Sequence, residues 1–225
     1  MIQGAADLLI RALLDRQQYD DADGAAEAAG ISPASWPLFG VAWPSGLRLA
    51  AHMAARDLSP GERILEVGCG LALASLVCHR RGIDITASDR HPLTADFLDQ
   101  NARLNGLAPM RYRHGDWSGS EAPRPEGSDP GVDGRFDTII GSDVLYERDD
   151  DGHLAGFIER HAKATAEVLI VDPDRGNRNP FSRRLADQGF ALSSHPLREA
   201  VVDGVGYRGR LLRYVRVAAL SGEPS

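Results

Sequence analysis

Residues 64–76 read ILEVGCGLALASL, and the fold turns on how that stretch is understood. Ile64, Leu65 and Val67 make a short apolar run carrying one acid, Glu66; Gly68 and Gly70 follow, then an alanine- and leucine-rich segment. A buried strand that ends on a carboxylate and passes through a glycine turn into a helix is the start of a ligand site. Glycines let the backbone approach a ligand, and the N-terminus of the helix presents unpaired N–H groups to an anion.

Downstream, strand and helix patterns alternate. The apolar runs predict strands over 63–67, 84–88, 111–114, 136–141 and 168–172, with helices over 71–81, 93–105, 152–164 and 180–188. Strands separated by single helices imply a parallel sheet covered on both faces, a doubly wound α/β fold. The end differs, because 190–197 and 210–218 are strand-like with only a polar loop between them, which predicts an antiparallel pair at one edge. The segment 118–135, rich in proline, glycine and acid, reads as a mobile surface loop. Upstream, 46–58 reads as an amphipathic helix and 5–16 as another. Residues 31–46 hold three prolines and two tryptophans, too punctuated for a helix. This divides the chain into an N-terminal helical extension and lid (1–60), a ligand-binding domain (61–218) and a tail (219–225).

The totals narrow the classes. The 225 residues are 43% hydrophobic and 25% charged, with a formal net charge of −7. That acidic balance argues against nucleic acid as the main partner. No stretch approaches ~20 uninterrupted apolar residues, so no membrane span is expected. Asp7 in the apolar part of the N-terminus argues against a signal peptide, and two cysteines, Cys69 and Cys78, form no disulfide framework; both point to the cytoplasm. Seven histidines are scattered without ligand spacing, so no metal site is expected.

In a doubly wound sheet the ligand lies beyond the carboxyl ends of the strands, beside the first. The nicotinamide fingerprint G-x-G-x-x-G/A needs a small residue where Leu73 stands, and Glu66 would repel a pyrophosphate. A ligand with an ammonium beside its carboxylate fits better, the carboxylate going to the helix N-terminus and the ammonium toward Glu66. S-adenosylmethionine has both. Asp89, ending the second strand, is placed for the ribose hydroxyls, although it could instead cap the next helix. Asp116 is placed for the adenine amino group and Trp117 for its ring, with a core role as the alternative for the tryptophan. Cys69, inside the glycine turn, reads as a space-filling residue.

The motifs ILEVGCG, ASDRHP, GDW and FDTIIGSDVLYE together resemble the class I, seven-strand S-adenosylmethionine-dependent methyltransferases, over roughly residues 36–218. The resemblance implies a Rossmann-like doubly wound seven-stranded sheet of order 3-2-1-4-5-7-6 with strand seven antiparallel. It implies a cofactor site built from Trp43, Glu66, Gly68, Cys69, Gly70, Asp89, Arg90, Asp116, Trp117 and Ser142.

The acceptor is chosen at the end of the fourth strand. A helical turn there would put Asp143 and Tyr146 on one face. A lysine acceptor must shed a proton before its lone pair can attack, and a desolvated rim beside a sulfonium helps it do so. Asp143 would orient the amine and Tyr146 wall it; the plainer alternative is that Asp143 caps the next helix. The stretch DVLY resembles the D-x-x-Y motif of the protein-lysine methyltransferases. AWPSGLRLA and VLIVDPDRG resemble segments of the group that methylates lysines of the electron transfer flavoprotein β-subunit, whose bacterial relatives also modify a ribosomal protein. A protein substrate of that kind is therefore expected, with a small-molecule methyltransferase as the alternative. Arg198, Arg208, Arg210, Arg213 and Arg216 read as the solvated face of an edge strand, or as a patch for an acidic substrate.

Overall fold

The computed structural model describes residues 7–119, 129–146, 148–174, 176–198 and 206–218. Its strands are β1 (Arg63–Val67), β2 (Asp84–Asp89), β3 (Arg111–His114), β4 (Phe136–Ser142), β5 (Ala162–Asp172), β6 (Ala191–Leu197) and β7 (Gly209–Arg216). They form one sheet in the order β3-β2-β1-β4-β5-β7-β6, with β7 antiparallel to both neighbours and the other pairings parallel. This is the Rossmann-like methyltransferase order that the motifs imply.

The helices are α1 (Ala25–Ala28), α2 (Pro44–Ala55), α3 (Leu73–Arg80), α4 (Thr94–Leu104), α5 (His153–His161) and α6 (Arg178–Asp187), with a 3-10 helix over Pro33–Gly40. Alternate residues of the central strands feed opposite faces. Leu65 and Val67 join the core that includes Phe157, Ile158 and Phe181, whereas Ile64 joins the one that includes Leu49, Met53 and Val77. No helix among the described residues is long and apolar enough to cross a membrane.

Four sequence expectations change. The N-terminal segment is not a helix: residues 7–13 lie without regular structure along α4. Asn101 of α4 and Asn105 at its C-cap each bond the backbone of this strap, residues 7–13, in both directions. The Leu9 amide donates to Asn105 Oδ1 at 2.9 Å and the Arg11 amide to Asn101 Oδ1 at 2.7 Å. The returning Nδ2 bonds reach the Leu9 and Arg11 carbonyls at 2.8 and 3.2 Å. With the backbone satisfied that way, a helix gains nothing, and Leu8, Ile10 and Ala12 turn inward at a period of two.

The second change lies in residues 31–46, expected to hold no helix: prolines 33 and 37 sit inside the 3-10 turns of Pro33–Gly40, and Pro44 occupies the first turn of α2. Third, β5 begins at Ala162, where helix was expected through 164. Pairing of Ala166 to Val171 with β7 outweighs the helical preference of an alanine-rich stretch. Fourth, β7 is an interior strand, so its arginines do not protect an edge. Arg210 pairs with Asp174 at 3.0 Å, and Arg213 and Arg216 pair with Glu167 and Glu159. Half of the expected 118–135 loop, residues 120–128, lies outside the described residues, as does the 219–225 tail. The loop's far end runs beside β3, where His114 exchanges backbone bonds with Pro130 and Val132.

Candidate functional site

Three left-handed residues in five steer the chain from β1 into α3. Gly68 has φ 57°, Gly70 φ 50° and Ala72, the N-cap of α3, φ 55°. A Cβ on Gly68 would lie 3.0 Å from Val144 Cγ1 and 3.3 Å from Trp117 Cζ2. One on Gly70 would lie 2.9 Å from the Phe39 carbonyl oxygen. Both glycines are thus fixed by space as well as by φ.

Ala72 has no side chain to cap α3, and Glu66 serves instead. The Ser75 amide donates to Glu66 Oε2 at 2.8 Å, and the Ser75 hydroxyl donates to the same oxygen. Burial pushes the Glu66 carboxyl up to about 7; the Ser75 bonds oppose this and the Asp89 charge adds to it. Asp89 bridges two loops rather than capping α4. Its Oδ2 accepts the Gly70 amide and its Oδ1 the His91 amide, both at 2.9 Å. Burial raises its pKa while those amides hold it down. Asp116 accepts the Ser118 amide at 3.0 Å, and both its oxygens accept the Ser118 hydroxyl. Trp117 packs against the core and also lines the cavity; its buried indole N–H has no acceptor among the described residues.

These groups line one cavity of about 710 Å³, within the usual range for a small-molecule site. All ten residues expected at the cofactor, together with Asp143 and Tyr146, contribute to its wall. No helical turn follows β4, however. Asp143 stands in the left-handed region at φ 58°, a conformation that aspartate tolerates better than most side chains. Nor does Asp143 cap α5, because Asp149 accepts the His153 and Leu154 amides at 2.8 and 3.0 Å. Cys69 and Cys78 are buried free thiols, and burial pushes both well up, Cys78 to about 12.

The 3-10 helix and the segment after it close one side. Phe39 stacks on His91 at 3.8 Å with an interplanar angle of 14°, and burial pushes His91 down to about 4, so the stack is with a neutral imidazole. Trp43 donates its indole N–H to the Leu38 carbonyl at 2.9 Å while the Arg16 guanidinium lies 4.9 Å over its ring. Arg16 and the α6 contributions, Phe181 and Arg184, were not singled out in the sequence. They reach the cavity through tertiary packing, and no local motif marks them.

The fold is that of the seven-stranded methyltransferases. Magnesium protoporphyrin IX methyltransferase of Synechocystis superposes with a TM-score of 0.57 at 17% identity, over 76% of this chain and 78% of that one. Ribosomal protein L11 methylase of Lactobacillus delbrueckii gives 0.56 at 17%, over 79% and 81%. No family model matches the chain. Among curated proteins, the electron transfer flavoprotein beta subunit lysine methyltransferase of Danio rerio is 27% identical over 151 residues, 64% of this chain and 54% of that protein. A protein N-lysine methyltransferase of the same organism is 29% identical over 140 residues, 60% of this chain and 62% of that protein. The chain spans between half and two thirds of the length of these two relatives.

Proposed function

We propose that this protein is an S-adenosylmethionine-dependent methyltransferase that methylates lysine side chains of a protein substrate. The carrying observation is the convergence on one cavity of acids from the ends of four successive strands in space, Asp116, Asp89, Glu66 and Asp143, around a glycine turn.

The residues present fit the cofactor. The glycine turn leaves room that a single Cβ would fill, Glu66 suits an ammonium, Asp89 a ribose diol, and the unsatisfied Trp117 N–H an acceptor on the ligand. Bound there, S-adenosylmethionine supplies an electrophilic methyl group on a cationic sulfonium. Asp143 draws the acceptor ammonium in by charge and orients it, and Tyr146 walls the entry. Desolvation beside a positive sulfur lowers the amine's proton affinity. Alignment of nucleophile and methyl is worth on the order of 7–11 kcal/mol of barrier, so no covalent enzyme intermediate is needed. The two curated relatives named above are lysine methyltransferases by name; the flavoprotein subunit of the first, and then the ribosomal protein L11 of the superposed methylase, are the first acceptors to try. The described part of the 1–60 extension acts as the lid over the 61–218 domain, and two buried thiols suit a reducing, cytoplasmic setting.

The test is incubation of the purified protein with methyl-labelled S-adenosylmethionine and fractionated extract of its source cells. A discrete labelled protein, lost with Asp143→Asn, is the expected result. Asparagine is chosen because it keeps the left-handed backbone that alanine would strain. Label confined to small molecules would replace the protein-lysine reading with a small-molecule one.

A further inference from the structure

Two aspartates stand together at the carboxyl ends of β4 and β5. The Asp143 amide donates to the Val171 carbonyl at 2.9 Å, and Asp172 is the residue that follows Val171 and ends β5. Asp143 lines the cavity. Asp172 is fully buried beside it, and among the described residues neither of its carboxylate oxygens has a hydrogen-bond partner. The Asp174 amide favours its charged form but falls outside hydrogen-bonding geometry.

Among the described residues, four donors near Asp172 are engaged elsewhere. Arg178 of α6 and Arg210 of β7 both pair with Asp174. The Tyr207 hydroxyl pairs with Ser45 Oγ and the Tyr214 hydroxyl with Ser182 Oγ, each at 2.9 Å. The carboxylates of Asp143 and Asp174 repel it. A buried carboxylate left in this state binds a proton more readily than an ordinary one, and burial pushes Asp172 up to about 6. A fold that merely needed to fill this position would do so at lower cost with an apolar side chain.

We propose that Asp143 and Asp172 act as a coupled carboxyl pair that takes up one proton between them, the proton an incoming ammonium must lose before methylation. Asp172 is a positioning residue that acts through Asp143. In the step, an N–H bond of the ammonium breaks with its electron pair left on nitrogen, and an O–H bond forms on the pair. The freed lone pair then makes the N–C bond while the C–S electron pair stays on sulfur. The carboxyl proton returns to solvent through the cavity before the next turnover. This role rests on the lysine reading above, whereas the coupling itself is a property of the protein alone.

The test therefore has two parts. Infrared titration of carboxyl groups in the ligand-free protein reads the coupling. A buried carboxyl titrating at about 6 in the wild type should disappear in Asp172→Asn and move lower in Asp143→Asn, where the like charge is gone. A titration unmoved by Asp143→Asn would overturn the pair. Methyl transfer to the labelled acceptor then reads the role. Asp172→Asn should be slowed about tenfold at pH 7.5, with cofactor affinity kept and the deficit closing toward pH 9.5 as solvent takes the proton. A loss equal at every pH, or one accompanied by weakened cofactor binding, would reduce Asp172 to a structural residue. Coupling without transfer to any amine would overturn the lysine reading and the pair's role in it.

Discussion

The Asp89 carboxylate accepts the amides of Gly70 and His91, each at 2.9 Å, so one side chain fastens the glycine turn to the loop after β2. The two loops line the same cavity, and the acid that joins them keeps further lone pairs for a ligand there. Asp89→Ala leaves two amides without their acceptor, a loss of about 1–3 kcal/mol in stability. We expect S-adenosylmethionine affinity to fall more than about tenfold in the same variant, since a ribose diol loses its acceptor too. Calorimetric titration together with a thermal melt separates the effects. Unchanged affinity would remove Asp89 from the cofactor site.

Gly68 and Gly70 differ in what opposes a side chain. At Gly70 the obstacle is the Phe39 carbonyl, backbone that cannot rotate away. At Gly68 it is Val144 and Trp117, side chains that line the cavity. Gly70→Ala should therefore act on the lid, lowering the melting temperature by way of a left-handed penalty of about 1–2 kcal/mol plus the clash. Gly68→Val carries a left-handed penalty too and should also melt lower, and its folded fraction should bind no cofactor, because the branches occupy ligand space. Normal binding by Gly68→Val, measured by calorimetry, would displace the ligand from the glycine turn.

The sheet was legible because its central strands are apolar runs ending on acids, a local pattern with a direct physical reading. Glu66, Asp89 and Asp116 could be placed at one site from strand order alone. What was not legible depended on partners distant in sequence. The strap over 7–13 has a helix-compatible composition, and the backbone bonds that make it extended come from Asn101 and Asn105, some 90 residues away. The arginines of β7 looked like an edge because sequence shows alternation but not which strand lies outside. Asp172 could not be told from an ordinary strand-end acid, since its significance lies in the neighbours that bond elsewhere.

The strap gives a prediction of its own. Asn101 is fully buried and satisfies both the amide and the carbonyl of Arg11. Asn101→Leu fills the volume but strands those two backbone groups, which then need water. We expect the first twenty residues to become cleavable by trypsin, Arg11 and Arg16 being the exposed sites, while the sheet core keeps its protection. The Phe39–His91 stack and the Leu13 amide bond to the Gly40 carbonyl at 2.7 Å should hold the 3-10 helix in place. A fragment pattern identical to the wild type would show that the strap is held by its apolar side chains alone.

Glu66 makes the site sensitive to pH in a direction that can be worked out. Its carboxyl is raised from 4.5 to about 7 in the folded protein, so between those values the folded state holds a proton that the unfolded state has lost. The stabilisation is complete below about 4.5 and disappears as pH rises through about 7, with a span on the order of 3 kcal/mol. Glu66→Gln should remove that dependence while leaving an oxygen for Ser75. In urea unfolding its stability relative to wild type should therefore improve from pH 5 to pH 8. A ligand ammonium beside Glu66 would pull its pKa back down, so binding S-adenosylmethionine near pH 6.5 should release a proton. Calorimetry in two buffers of different ionisation enthalpy measures that release directly. If it appears in the wild type and not in Glu66→Gln, the carboxylate that ends β1 faces the ligand's ammonium. If neither protein releases a proton, Glu66 serves only to hold α3 through Ser75, and the ammonium must be sought elsewhere in the cavity.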